Sequence, residues 1–382
     1  MQTKLTQKQL EAAFEGALVK LDAMIEKHGE LFPGSCTKDG KYSSVENRGG
    51  WTTCFYTGML FLAYEYTKDK KYLDAGLLHV ESFIKRVDEM IGMGDHDIGF
   101  NFTLSCVAAY KVTGEERYKE KAIKAAEVLG NRFREKGQFI QLAGDADCAD
   151  KNLYRLIIDC LMNINLLYWA GSVTGNPEFT RKAFSHFTTT METVVRADGS
   201  TFQNFYFDQA TGARLGGGTK QGLNASSCWS RGQSWGVTAI PFTYSYMKNA
   251  EIFDKYYTIA DYFIDRLPTD KVAYWDLCFT DGGEPRDSSA NAIAVCGLLE
   301  AVKNMPIDES KKAKYAEAAE DMLYALVTDC ASTPDPECEG LIKHGTYYYA
   351  GKLGIDECCI WGDYFYLEAL MRKLRPDWKK YW

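Results

Sequence analysis

The stretch Phe55-Tyr-Thr-Gly-Met-Leu-Phe-Leu-Ala63 carries no charged residue on any side. A few residues on, Lys70-Lys-Tyr-Leu-Asp-Ala-Gly-Leu-Leu-His79 alternates charged with apolar positions. A helix apolar all round is buried, whereas one with a charged face lies at a surface. The two segments therefore read as an inner helix followed by an outer one.

The same alternation extends in both directions. Charged, amphipathic helices are expected over roughly 7–28, 70–87, 116–136, 177–195, 251–266 and 309–328, and apolar ones over 52–66, 98–111, 153–171, 229–247, 288–303 and 361–373. Tyr118-Lys-Glu-Lys-Ala-Ile-Lys-Ala-Ala-Glu-Val-Leu129 shows the i, i+4 spacing of the first kind, and Ala290-Asn-Ala-Ile-Ala-Val-Cys-Gly-Leu-Leu299 the uniform character of the second. Within the charged set an aromatic residue is followed four positions later by a small one: Tyr72/Gly76, Tyr118/Ala122, Phe179/Ala183, Tyr256/Ala260 and Tyr315/Ala319. Spacing by four places both on one helix face, and recurrence at intervals of tens of residues marks stacked helical hairpins. Six outer and six inner helices describe an all-α (α/α)6 barrel, a six-hairpin toroid, as one domain over residues 1–382. An open solenoid of helical pairs would alternate too, but the scarcity of polar surface on the inner set favours closure. The 9 prolines leave long helices largely uninterrupted.

Composition narrows the function. The net charge is −8, with lysines and arginines scattered among acids, so the dense basic footprint of a nucleic-acid binder is missing. No apolar run reaches membrane-spanning length, and the polar start Met1-Gln-Thr-Lys-Leu-Thr-Gln-Lys-Gln-Leu10 lacks the apolar run of a signal peptide. The 12 cysteines are dispersed and form no C-x-x-C pair, as in a reducing cytosol, so a cytoplasmic location is expected. With 5 histidines and none beside a cysteine pair, a structural zinc site is not expected. The three carboxylates of Gly144-Asp-Ala-Asp-Cys-Ala-Asp150 lack the spacing of a calcium loop and read as a capped turn before a helix. No metal or cofactor is expected.

Polar clusters sit at the starts of the inner helices: Arg48-Gly-Gly-Trp51, Gly94-Asp-His-Asp97, Ser226-Ser-Cys-Trp-Ser-Arg231, Asp287-Ser-Ser289 and Trp361-Gly-Asp363. If the inner helices are parallel, these starts meet at one mouth, where aromatic and charged groups make a pocket and helix N-termini favour an anion. Asp97, the serines and Asp287 also fit simple N-caps, and any one of the tryptophans could merely pack. Asp159 lies among Ile157, Ile158, Cys160 and Leu161. Desolvation there would raise its pKa, as general acid catalysis needs. A structural aspartate paired with Arg155, four positions earlier on the same helix face, reads equally well.

Several of these runs together resemble the unsaturated glucuronyl hydrolase family of glycosidases. They are His96-Asp-Ile-Gly-Phe100, Ile158-Asp-Cys-Leu-Met-Asn163 with Leu166-Leu-Tyr-Trp-Ala170, Trp229-Ser-Arg-Gly-Gln-Ser-Trp-Gly236, Asp287-Ser-Ser-Ala290 and Trp361-Gly-Asp-Tyr-Phe-Tyr-Leu-Glu-Ala-Leu370. The resemblance implies an (α/α)6 barrel that releases a 4,5-unsaturated glucuronic acid from the non-reducing end of lyase-generated, glycosaminoglycan-type oligosaccharides. It assigns Asp159 the protonation of C4 of the C4=C5 vinyl ether and the activation of a water that adds at C5; the resulting hemiketal rearranges and expels the remaining sugar. Asp97 becomes the second essential aspartate. Trp51 and Trp235 become aromatic walls, and Gln221 and Arg231 polar contacts, with Arg231 facing the uronate carboxylate. The spacing rules for paired carboxylates in acetal hydrolysis do not carry over to a hydration.

Two positions depart from the family pattern. Gln203 stands where members carry a histidine, and Ala143 where many carry a tryptophan. Glutamine can hold a substrate hydroxyl but cannot titrate. Lys352, in His344-Gly-Thr-Tyr-Tyr-Tyr-Ala-Gly-Lys352, lies where some relatives contact a sulfated aglycone. An unsaturated rhamnogalacturonyl hydrolase shares fold and chemistry, and a non-catalytic carbohydrate-binding barrel shares the fold. The run His96–Phe100 favours the glucuronyl side, and the presence of both Asp97 and Asp159 disfavours the binding protein. A sugar 2-epimerase on a helical toroid would need more pocket histidines than His96 alone. The oligomeric state is open.

Overall fold

The computed structural model describes residues 4–249, 252–333 and 335–382. The inner helices are Thr53–Thr67, 98–113, 160–174, Ser230–Met247, Ser288–Asn304 and Ile360–Leu374. The outer helices are Gln7–His28, Lys70–Glu89, Glu116–Gly130, Pro177–Thr193, Phe253–Asp265 and Glu309–Ala325. Position 251, the expected start of the fifth outer helix, lies outside the described residues. Each inner helix packs against the next, and Ile360–Leu374 packs back onto Thr53–Thr67, so the ring closes and the solenoid alternative falls.

The aromatic–small repeat is the inward face of the outer ring. All five aromatic residues and their partners are buried. At Gly76 a Cβ would press on the Phe61 ring, so this glycine permits outer and inner helices to approach closely. The outer helices start on side-chain caps: Thr6 with Gln9 forms a capping box, and Asp69 and Asn176 accept backbone N–H groups.

Two local expectations change. The segment 153–171 is not one helix: Arg155–Ile157 is a strand paired with Asn204–Phe207, and the helix begins at Cys160. The apolar run Leu156-Ile-Ile158 serves strand and helix alike, so periodicity could not separate them. Short antiparallel sheets also decorate the barrel mouth, among them the hairpin Gly345–Tyr348 and Leu353–Glu357. Inside the ring the buried Trp382 contacts Phe100, Phe242 and Phe365, rings from three different inner helices, and donates to Glu368 at 2.9 Å.

Candidate active site

Asp97, Asp159 and Arg231 all lie at or within two residues of an inner-helix start, so the inner helices run parallel and their starts share one mouth. A cavity of about 300 Å³ opens there, with Trp51, His96, Asp97, Asp159, Gln203, Gln221, Trp229, Arg231, Trp235 and Tyr347 among its walls.

The two aspartates are brought together by a backbone-to-backbone approach. Gly99 packs on the main chain of Asn163, where any Cβ would overlap the Asn163 carbonyl. The Asn163 amide then joins both helix starts: its Oδ1 accepts from Phe100 N at 2.6 Å, and its Nδ2 donates to Asp97 Oδ1 at 3.3 Å. Asn101 donates to the carbonyls of Asp97 and Gly50, both at 3.0 Å, and so ties the loop carrying Trp51 to the same corner. Trp51 lies 4.7 Å from Trp361, ring to tilted ring, and donates to the Tyr347 hydroxyl at 3.4 Å.

Asp159 occupies the junction between strand and helix, and neither aspartate caps its helix. Their side chains are 17% and 22% exposed, which keeps both open to the cavity. His96 Nε2 stands 3.6 Å from Asp97 Oδ1 and 3.5 Å from Asp159 Oδ1, and suitable ligand atoms of the three side chains lie within 4.8 Å of one another. Burial pushes Asp159 up to about 7, opposed by the Arg231 charge. Burial, with Asp95 and Asp159 nearby, holds Asp97 well above the usual carboxylate range. Burial and the cations Arg132 and Arg155 hold His96 well below its ordinary value, so its ring is neutral. A neutral imidazole between two carboxyl groups does not hold either one ionised, and Asp159 Oδ1 has no hydrogen-bond partner among the described residues. The arrangement stores a transferable proton on a carboxyl group near neutral pH, which is the requirement for a general acid.

Arg155 does not pair with Asp159. It lies in the strand, donates to the Asn152 carbonyl at 2.6 Å and sits over the Tyr206 ring. Asp287 is not a simple cap either: its Oδ2 accepts from Arg231 Nη1 at 3.0 Å, and both side chains are essentially inaccessible. Arg231 also donates to the carbonyls of Thr346 and Tyr347 at 2.7 and 2.6 Å, and more loosely to Gln221 Oε1 at 3.4 Å. Its guanidinium lies 4.4 Å from the Trp229 ring and 4.8 Å from Trp361. Arg231 is thus held by the fold as much as offered to a ligand, with the Nη2–Gln221 contact the one a substrate can most readily replace.

Gln203 holds the neighbouring loop. Its Oε1 accepts from Lys220 N at 2.6 Å, Gln221 N at 2.8 Å and Thr219 Oγ1 at 3.1 Å, while its Nε2 donates to Gln221 Oε1 at 3.3 Å. Trp235 shows the cavity only an edge, being 1% exposed and packed between Phe100 and Phe365. Ala143 bridges Asp95 in backbone pairing beside the mouth. Lys352 is not brought to the cavity. It forms the exposed turn of the hairpin Gly345–Glu357, and that hairpin contributes Tyr347, Tyr348 and Leu353 to the wall instead. His96, Asn163 and the Arg231–Asp287 pair were given no such roles by sequence reasoning. His96 and Asn163 do flank the aspartates within the quoted motifs, but nothing local signals that Asp287 meets Arg231 across 56 positions.

Comparison with known proteins agrees with this geometry. The chain is 43% identical over 379 residues to an unsaturated chondroitin disaccharide hydrolase of Streptococcus agalactiae, covering 99% of this chain and 94% of the relative. A crystal structure of unsaturated glucuronyl hydrolase from Streptococcus agalactiae superposes with a TM-score of 0.95 at 43% identity, covering 99% of this chain and 95% of that one. A variant of that enzyme complexed with dGlcA-GalNAc6S superposes at 0.88 with 40% identity, over 99% and 94% of the two chains. Residues 24–356 match the model of Glycosyl Hydrolase Family 88, and the chain belongs to that family.

Proposed function

We propose that this glycosyl hydrolase releases 4,5-unsaturated glucuronic acid from the non-reducing end of glycosaminoglycan-type oligosaccharides produced by lyases. One observation carries the reading: a carboxyl group with a pKa of about 7, Asp159, faces a tryptophan-walled cavity beside a second carboxyl group, Asp97. Asp159 delivers its proton to C4 of the vinyl ether. The electron pair of the double bond forms the new C4–H bond, and positive charge develops at C5 and the ring oxygen. The carboxylate left behind takes a proton from the water that bonds to C5, which restores the acid. The hemiketal then opens and the remaining sugar leaves.

Asp97, steadied by Asn163, holds ring hydroxyls beside Asp159. Trp51 provides a stacking face, Gln203 and Gln221 present amide groups, and Arg231 supplies the cationic wall for the uronate carboxylate. Lys352, at the hairpin tip, serves only a substrate long enough to leave the cavity. A related structure complexed with dGlcA-GalNAc6S supports a sulfated aglycone. We place the enzyme in the cytoplasm, in keeping with its twelve free thiols; among the described residues no helix is long and apolar enough to cross a membrane.

Loss of the ultraviolet band of the C4=C5 conjugate, followed over a panel of unsaturated disaccharides, tests the reading. Decay with chondroitin or hyaluronan disaccharides that disappears in Asp159→Asn supports it. Decay with rhamnogalacturonan fragments alone would reassign the substrate, and no decay at all would leave a binding protein.

A further inference from the structure

The far end of the barrel holds a second cavity, of about 590 Å³, larger than the one at the mouth. It is lined from the C-terminal ends of four inner helices and by the segment 375–382, whereas Asp159 lies at the start of the inner helix 160–174, and the two cavities share no lining residue. Eight lysine and arginine residues line it with a single acidic side chain, Glu300, in a chain whose net charge is −8. Glu300 is already bonded to Arg372 and Lys380, each at 2.7 Å.

Helix C-termini attract cations, and that accounts for part of the cluster. Lys111 donates to the carbonyls of Lys380 and Tyr381 at 2.9 and 2.8 Å, and Lys303 to that of Pro376. Lys248 and Arg375 are the C-caps of Ser230–Met247 and Ile360–Leu374, yet neither they nor Lys379, which lies beyond the last helix, makes an ion pair among the described residues. The outer surface behaves differently, as where Lys121 and Lys124 share Asp88. Desolvation and the charge of Lys380 push the Lys111 ammonium down to about 7, the behaviour of a cation lacking an anion. Trp378 and Tyr246 line the same space and put aromatic surface beside the cations. A volume of this size accommodates a small oligosaccharide.

We propose that this basal cavity is a second, non-catalytic binding site for a saccharide carrying several sulfate or carboxylate groups. The choice of a saccharide rests on the function proposed above; the preference for a multiply charged anion rests on the cavity alone.

The test is calorimetric titration of the whole enzyme at low salt with a saturated chondroitin 6-sulfate tetrasaccharide, which has no C4=C5 bond to hydrate. Binding is expected, and Lys248→Glu/Lys379→Glu should weaken it at least about tenfold. Turnover of the unsaturated disaccharide should change by less than about twofold, since both positions are exposed and remote from the mouth. Lys248→Gln/Lys379→Gln, with an unchanged melting temperature, repeats the measurement should charge reversal perturb folding. The proposal is overturned by absence of binding, by equal binding in both variants, or by displacement of the probe by an unsaturated disaccharide held in the mouth of Asp159→Asn. Inorganic sulfate alone binding as tightly as the tetrasaccharide would also overturn it, leaving a simple ion site. Lack of turnover by the unsubstituted enzyme would defeat the proposed function and not this titration.

Discussion

Gly99 lies on the backbone of Asn163 so closely that no side chain fits between the two helix starts. This contact lets Asn163 reach Asp97 while Asp159, four residues before Asn163, stays on the same corner. Gly99→Ala should force the starts apart, at a cost of about 1–3 kcal/mol typical of overpacking. The larger effect should fall on turnover, with kcat lowered by roughly tenfold or more as the carboxyl groups separate. Steady-state kinetics beside a thermal melt decides the matter. Full activity in a folded Gly99→Ala protein would show that the spacing is not set here.

Asp159→Asn should remove the transferable proton and lower kcat by at least about a hundredfold, roughly 3 kcal/mol. It should also stabilise the fold at alkaline pH. Burial raises the Asp159 pKa to about 7, so stability present below the ordinary carboxylate value is lost as pH rises toward 7. Asparagine carries no such penalty. Its gain in melting temperature over the parent should therefore grow between about pH 4 and pH 7 and then level. A gain that is the same at both pH values would mean Asp159 ionises normally.

The ring of helices was legible because its signal is repeated: charge on one set, none on the other, and Tyr/Phe four before Gly/Ala on the outer faces. Trp51, Asp97, Asp159, Gln203, Gln221, Arg231 and Trp235 all reach the cavity, since each is fixed by its place near a helix start or mouth loop. What escaped was non-local. The strand Arg155–Ile157 exists through its pairing with Asn204–Phe207, and its three residues carry no period of their own. The pairing of Arg231 with Asp287 was equally hidden, because the counter-ion arrives from another hairpin. Lys352 stands on the exposed turn of a hairpin whose register puts Tyr347, Tyr348 and Leu353 on the cavity wall instead, a placement no local pattern announces.

The pH dependence of kcat/KM should follow the acid. Asp159 is protonated below about 7 and ionised above, so activity should be lost on the alkaline side, approaching tenfold per pH unit. A buried neutral His96, held far below its ordinary value, adds no break near pH 6.5. An activity that instead rises through pH 7 would require Asp159 to act first as a base.

Removing one member of the buried Arg231–Asp287 pair strands the other. Arg231→Ala should therefore cost about 3–5 kcal/mol in urea unfolding, in addition to weakening the anionic substrate. Arg231→Ala/Asp287→Ala should cost less than the two single substitutions combined, because no lone charge remains buried. Strict additivity would mean the two groups do not sense each other, contrary to their 3.0 Å contact.

Gln203 separates a loop-holding role from proton transfer. Its side-chain oxygen is the shared acceptor for Thr219, Lys220 and Gln221, so Gln203→Ala should loosen the loop that presents Gln221. The expected signature is a KM raised about five- to tenfold with kcat changed far less, the pattern of lost ground-state binding. Gln203→His provides the contrast. An imidazole can offer at most one ring acceptor and can titrate, so it should restore less of the loop's order and add a break near pH 6.5 to the acid limb. If Gln203→Ala lowers kcat and leaves KM alone, the amide acts on the transition state and the loop-holding account fails.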